Sequence, residues 1–281
     1  MPSRRVVAVV TDSTAYLPAG LAVERGIGVV PLHVQLGDRT LLDGVDLTPG
    51  EFAAWIAAPG RVAATSQPSP GAFHECWRAA DADAVVSVHL SSGLSGTASA
   101  AAVGAGLYDG DVRVVDSMST AMGLGFPVLA AARAAESGAP VDEVAAAAES
   151  AVARTRTFFY VDTLDHRRRG GRIGAAAALV GTALSVKPLL HMRGGRIEVL
   201  EKVRTASRAI ARLEEVVAAE AGSGPVDLAV HHLAAADRAA VLAERLRVAV
   251  PGIQTLLESE VGAVVGAHVG PGMLAVVVHH R

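Results

Sequence analysis

"AVVSVHLSSGLSGTASA", residues 84–100, decides how the first half of the chain folds. The apolar run Ala84–Val88 reads as a short buried strand. Ser91, Ser92, Ser95, Thr97 and Ser99 then crowd around Gly93 and Gly96, directly ahead of the Ala-rich stretch "ASAAAVGAG". Strand, polar turn and helix in that order form the repeating unit of a parallel α/β sheet. Working outward, "RVVAVVTD" (5–12) and "GIGVVPLHV" (26–34) read as further buried strands around a helix near 17–25. "LTPGEFAAWIAA" (47–58) opens with Thr48, Pro49 and Glu51, the spacing of a capping box, and "SPGAFHECWRAA" (69–80) starts likewise with Ser69 before Pro70. Strand "VRVVD" (112–116) and helices within 120–153 complete a doubly wound, mainly parallel sheet. Its loops at the C-terminal strand ends lie where open α/β sheets bind ligands.

From about residue 154 the texture changes. "RTFFYVDTL" (156–164) reads as a strand, "HRRRGGRIG" (166–174) as a Gly-broken basic loop and "GAAAALVGTAL" (174–184) as a helix. Two strands flank the Gly194-Gly195 turn in "SVKPLLHMRGGRIEVLEKV" (185–203). A helix (205–221), strand "VDLAVHH" (226–232), helix (236–248), strand "IQTLLES" (253–259) and strand "MLAVVVHH" (273–280) follow. The expectation is two α/β domains, 1–153 with the parallel sheet and hydroxyl loops, and 154–281 with a mixed sheet.

Composition narrows the chemistry. The chain of 281 residues is 51% hydrophobic but only 4% aromatic, an ordered α/β composition rather than a disordered one. Cys76 is the only cysteine, so no intrachain disulfide and no multi-thiolate metal site exists, which fits a reducing, cytoplasmic setting. "MPSRRVVAVVTD" lacks an apolar segment of signal-peptide length, and "GAAAALVGTALSV" (174–186) is too short to cross a bilayer comfortably, so the reading is a soluble protein. The net charge of −3 is uneven: residues 154–205 hold nine Arg and two Lys against Asp162, Asp165, Glu198 and Glu201. One surface is therefore basic.

The turn after Val88 admits several chemistries. A nucleophile elbow needs G-x-S-x-G, and Gly93-Leu94-Ser95-Gly96-Thr97 misplaces the second Gly. A P-loop needs a Lys, and no Lys precedes Lys187. An anion site of backbone N–H groups and hydroxyls fits a carboxylate or phosphate, and an ordinary helix cap by Ser92 or Ser95 fits as well. A second hydroxyl cluster, Thr65, Ser66 and Ser69 around Pro68, favours the anion reading, with Ser69 itself a cap. His231-His232 and His279-His280 are strand neighbours that point to opposite faces, so neither pair chelates one ion, and no metal is assigned.

In order along the chain, "VTDSTAYLP", "TSQPSPGAF", "HLSSGLSGTASA", "VVDSMSTAMGLG", "LDHRRRGGRIG", "SVKPLL", "KVRT" and "AHVGPG" resemble the DegV family, and the likeness spans nearly the whole sequence. The resemblance implies a two-domain α/β protein that binds one long-chain fatty acid and serves as the acyl-binding subunit of a fatty-acid kinase system. It implies no cofactor beyond the bound lipid and no catalysis by the chain itself. The family's carboxylate-binding threonine falls on Thr65, with Ser66 beside it, and its serine on the "SSGLSG" turn, as Ser95 or, in the rival register, Ser92. His268 in "HVGPG" resembles a histidine near the carboxylate, against the plainer reading of a loop histidine bonded to backbone. Arg172 and Arg204 match positions implicated in contact with the kinase. Ala98, Ser99 and Ala100 stand where an aromatic and Gln usually follow "SGT", a departure that bears on acyl-chain preference.

The physics suits those roles. Ten buried methylenes supply on the order of 8 kcal/mol, whereas a hydrogen bond to a charged group nets roughly 1.5–3 kcal/mol. The tail would give affinity and the hydroxyls orientation. The basic segment reads as a solvated loop, a phosphate or nucleic-acid patch, or a docking face for an acidic partner. Nucleic acid is least favoured, because no recognition motif accompanies the charge. The alternative function is a serine hydrolase or acyltransferase with Ser95 or Ser92 as nucleophile and His268 as base.

Overall fold

A computed structural model describes residues 5–162 and 187–281. The expected basic loop 166–174, the helix 174–184 and Arg172 lie outside the described residues. Among the described residues the fold is mixed α/β, with a four-stranded parallel sheet, a six-stranded mixed sheet and a small three-stranded sheet, in two compact units: Met1–His33 with Ser66–Arg154, and Val34–Thr65 with Thr155–Arg281. The stretch 34–65, expected in the first half, thus belongs to the second unit.

In the first unit four parallel strands lie in the order Gly28–Val30, Arg5–Asp12, Ala82–His89, Asp111–Asp116. Val7, Ala8, Val9 and Val10 are all buried, so both faces of the Arg5–Asp12 strand are covered and its apolar run is unbroken. Ala8 and Val10 share a core with Phe73, Trp77, Ala100 and Ala101 from the helices Pro70–Ala79 and Thr97–Ala105. The helix Met122–Glu136 packs on Arg5–Asp12 as well. Chain order reverses between the adjacent strands Arg5–Asp12 and Ala82–His89, making their C-terminal ends a topological switch point.

In the second unit six strands run in the order Arg196–Val203, Lys187–Arg193, Thr155–Tyr160, Leu274–His280, Val226–His232, Ile253–Glu260. Every pairing is antiparallel except the parallel last one. The helices Ala206–Ala221 and Ala236–Ala249 bury Leu213, Val217, Leu242 and Leu246 against this sheet. A smaller sheet, Arg39–Leu42, His33–Leu36, Ala63–Ser66, accompanies the helix Pro49–Ile56. That helix starts as its sequence predicts: Thr48 Oγ1 accepts the Glu51 N–H and Glu51 Oε2 accepts the Thr48 N–H.

Three local expectations are corrected. "GIGVVPLHV" is not one strand: it splits into Gly28–Val30 and His33–Leu36 around Pro31, which has no N–H for a ladder. The helix near 17–25 shrinks to Leu21–Glu24 behind Gly20, whose φ is 81°. The strand expected over 156–164 is described as Thr155–Tyr160.

His231 makes the second unit acid-sensitive. Its ring is fully buried, and Nδ1 lies 3.0 Å from Ser259 Oγ. Burial lowers the imidazole from 6.5 to about 4, a hydrogen bond to the Ser259 backbone opposes the shift, and neighbouring His232 adds to it. The unfolded chain therefore takes up a proton that the folded chain refuses, and stability falls as pH drops from about 6.5 towards 4. The loss reaches roughly 3 kcal/mol in full, of which about 2 is present at pH 5. Urea midpoints measured between pH 7.5 and 5 should decline more steeply for the wild type than for His231→Gln. Parallel profiles would exclude His231 as the cause.

Candidate functional site

The site in the second unit is assembled from two short, distant segments. Thr65 is the third residue of the strand Ala63–Ser66, on the same half-buried side as Ala63. His268 lies in the last turn of the helix Ala263–Val269 rather than in a loop. Thr65 Oγ1 and His268 Nε2 are 3.3 Å apart, across 203 residues of sequence.

The helix is held from several sides. Its N-cap is Gly262, which has no side chain to offer, and the Ala263 N–H donates instead to Asp43 Oδ1 at 2.9 Å. A Cβ at Gly266 would sit 2.7 Å from Phe52 Cε1 and 2.8 Å from Leu233 Cδ2, so only glycine allows this approach. Gly270 ends the helix at φ 75°, with its N–H on the Gly266 carbonyl at 2.8 Å. The result is a hydroxyl and an imidazole side by side, one of them half-buried on a sheet and the other on a clamped helix. A hydroxyl and a ring N–H are the donors a carboxylate needs.

In the first unit the Ser91–Gly96 turn leaves the switch point. Leu94 and Ser95 donate their N–H groups to the Ser91 carbonyl at 3.0 and 3.1 Å, and Ser91 Oγ accepts from the Gly93 N–H at 3.1 Å. Ser95 Oγ lies 2.9 Å from Thr97 Oγ1 and accepts the Thr97 N–H at 3.3 Å, one residue ahead of Gly96, the N-cap of the helix Thr97–Ala105. Ser92 is exposed, and its N–H donates to Asp116 Oδ2 at 3.1 Å. Ser69 accepts the Ala72 N–H and Ser66 is exposed at the end of its strand. Thr65, expected in the same domain as the Ser92 and Ser95 turn, is instead contributed by the second unit. Arg204 is exposed between the strand Arg196–Val203 and the Thr205-capped helix Ala206–Ala221.

Sequence reasoning missed a sealed polar relay at the switch point. Trp77 Nε1 donates to Ser87 Oγ (3.1 Å), which lies 2.7 Å from His89 Nε2, and His89 Nδ1 lies 3.0 Å from Asp12 Oδ2. A carboxylate only accepts, so His89 Nδ1 carries a proton and donates it to Asp12. Asp12 also accepts from the Leu90 N–H (2.9 Å), the Thr14 N–H (3.0 Å) and Thr14 Oγ1 (2.6 Å). Serine, histidine and aspartate in this order carry a hydrolase's relay, but all three are fully buried and Ser87 has no access to substrate. The relay ties together the ends of two strands. Asp12 at the end of an apolar strand was the visible signal, since a carboxylate there must find donors.

Among the described residues no helix is long and apolar enough to cross a membrane, and no group of three or more His, Cys, Asp or Glu could hold a metal. Cys76 is partly buried, and burial pushes its thiol up to about 11, away from reactivity.

Comparison with known proteins gives a consistent result. Residues 6–281 match the family described as "Uncharacterised protein, DegV family". A DegV domain-containing protein of Streptomyces coelicolor is 58% identical over 280 residues, covering 99% of each chain. DegV of Bacillus subtilis, a fatty acid binding protein, has a crystal structure that matches with a TM-score of 0.89 at 34% identity, over 99% of this chain and 100% of that one. A DegV family protein from Thermus thermophilus, whose structure concerns fatty acid binding, matches with a TM-score of 0.91 at 34% identity and the same coverage. By family model, sequence and fold alike, this chain belongs to the DegV family.

Proposed function

We propose that the chain is a non-catalytic cytoplasmic carrier that binds one long-chain fatty acid and presents its carboxylate to a separate fatty-acid kinase for acyl-phosphate formation. The observation that carries this reading is the Thr65–His268 pair, a hydroxyl and an imidazole 3.3 Å apart. Fatty acid binding in relatives of the same fold supports it. Thr65 and His268 hold the head group, Ser66 lies next to Thr65 in the chain, and the further hydroxyl, Ser95 or Ser92, is the one that the family resemblance implies. The acyl tail supplies most of the affinity, since each buried methylene is worth about 0.8 kcal/mol.

A hydrolase's nucleophile would be hydrogen-bonded to its own base. His268 is engaged by Thr65 and Ser95 Oγ by Thr97, which favours binding over nucleophilic attack. The test is titration with a fluorescent conjugated-tetraene fatty acid beside a chromogenic short acyl ester. One molecule bound per chain without ester turnover is the expected result; ester turnover abolished by Ser95→Ala would reverse the reading. Ser95→Ala should weaken binding about tenfold, the low end for a charge-assisted hydrogen bond. The same loss in Ser92→Ala, with Ser95→Ala unaffected, would move the contact to Ser92.

Arg204, with Arg172, is proposed to face the kinase or the phosphate it transfers. Arg204→Glu should keep the bound lipid yet cut kinase-dependent acyl-phosphate formation at least tenfold, because repulsion replaces attraction at a docking face. Unchanged phosphorylation would leave Arg204 a solvated side chain.

A further inference from the structure

The excursion Val34–Thr65 reaches the helix Ala263–Val269 at three levels. Asp43, only 1% exposed, accepts the helix's first N–H across 220 residues of sequence. Phe52, fully buried, meets Gly266 at the middle. Thr65 meets His268 at the last turn. A helix start needs only a hydroxyl or water as acceptor. Burying a carboxylate there is costly, and in return the favourable interaction of a negative charge with a helix N-terminus fixes where the helix begins.

We infer that Asp43 is a positioning residue for the carboxylate site: it pins the start of the helix Ala263–Val269 so that the far turn places His268 Nε2 on Thr65. A helix is a rigid rod rising about 1.5 Å per residue. Released at Ala263, it pivots on the tight Phe52–Gly266 contact, and the displacement appears at His268. The inference rests on the reading of Thr65 and His268 as the head-group anchor.

The test combines Asp43→Ala, Asp43→Asn and Gly266→Ala, each alone and with His268→Leu. Two readouts are used: affinity for the conjugated-tetraene fatty acid, and the NMR signals of the His268 ring in lipid-free protein. Asp43→Ala should shift the ring signals and lower affinity about tenfold when His268 is present, but less than twofold beside His268→Leu, the non-additivity of residues acting through one another. Asp43→Asn keeps an acceptor oxygen for the Ala263 N–H but not the charge, and should recover part of both readouts. Gly266→Ala, which forces the helix off Phe52, should follow Asp43→Ala.

Equal losses in both backgrounds would reduce Asp43 to general stability and overturn the inference, as would Asp43→Ala with unaltered ring signals. If Asp43→Ala shows no cooperative unfolding, Asp43→Asn and Gly266→Ala decide: wild-type affinity and ring signals in Gly266→Ala overturn it. A wild type that fails to bind the probe removes the proposed function, whereas the lipid-free ring signals still judge the positioning.

Discussion

Thr65→Val should weaken binding of a long-chain fatty acid by about ten- to a hundredfold, with little change in the urea midpoint. Valine matches threonine in shape and suits a strand, so the Ala63–Ser66 strand persists. What is lost is the donor proposed for the carboxylate, worth roughly 1.5–3 kcal/mol, and a partner of the His268 ring. Thr65→Ser keeps the hydroxyl and should stay within a few-fold of wild type. Calorimetric titration with a saturated fatty acid measures both. An unchanged affinity in Thr65→Val would remove Thr65 from the head group, and a large fall in its unfolding midpoint would reassign the residue to the fold.

Asp12→Ala should cost about 4 kcal/mol of stability, a large share of the roughly 5–15 kcal/mol by which domains are stable. Its carboxylate accepts from the Thr14 N–H and hydroxyl, the Leu90 N–H and the His89 ring, all inside a fully buried cluster. Removing it strands these donors in an apolar interior. Asp12→Asn retains one acceptor oxygen but turns an N–H group towards existing donors, so an intermediate loss is expected. Urea denaturation of the three proteins gives the ranking. A loss below about 1 kcal/mol for Asp12→Ala would mean that water replaces the carboxylate and that the switch-point relay is not a structural tie.

Legibility in the sequence followed the range of the interactions. Strands Arg5–Asp12, Ala82–His89 and Asp111–Asp116, and the Thr48 and Ser69 helix starts, rest on local apolar runs and caps, and were readable there. The transfer of 34–65 to the second unit was not, because partner choice is settled by pairings with residues about 200 positions away. Pro31, which stands between the strands Gly28–Val30 and His33–Leu36 as the chain passes from one sheet to another, was a local hint. The helix carrying His268 spans seven residues, begins after Gly262, contains Gly266 and ends at Gly270, a poor intrinsic helix former that tertiary contacts impose. Ser95 was visible as a hydroxyl near a helix start, but its bond to the Thr97 N–H and the pairing of His268 with Thr65 are set by the folded chain.

The central claim is that the chain carries a fatty acid, and mass spectrometry of an organic extract of the purified protein tests it most directly. Binding predicts about one long-chain fatty acid per chain in the wild type and a much smaller amount in Thr65→Val. An extract without fatty acid, from protein that also fails to take up added fatty acid, would contradict it.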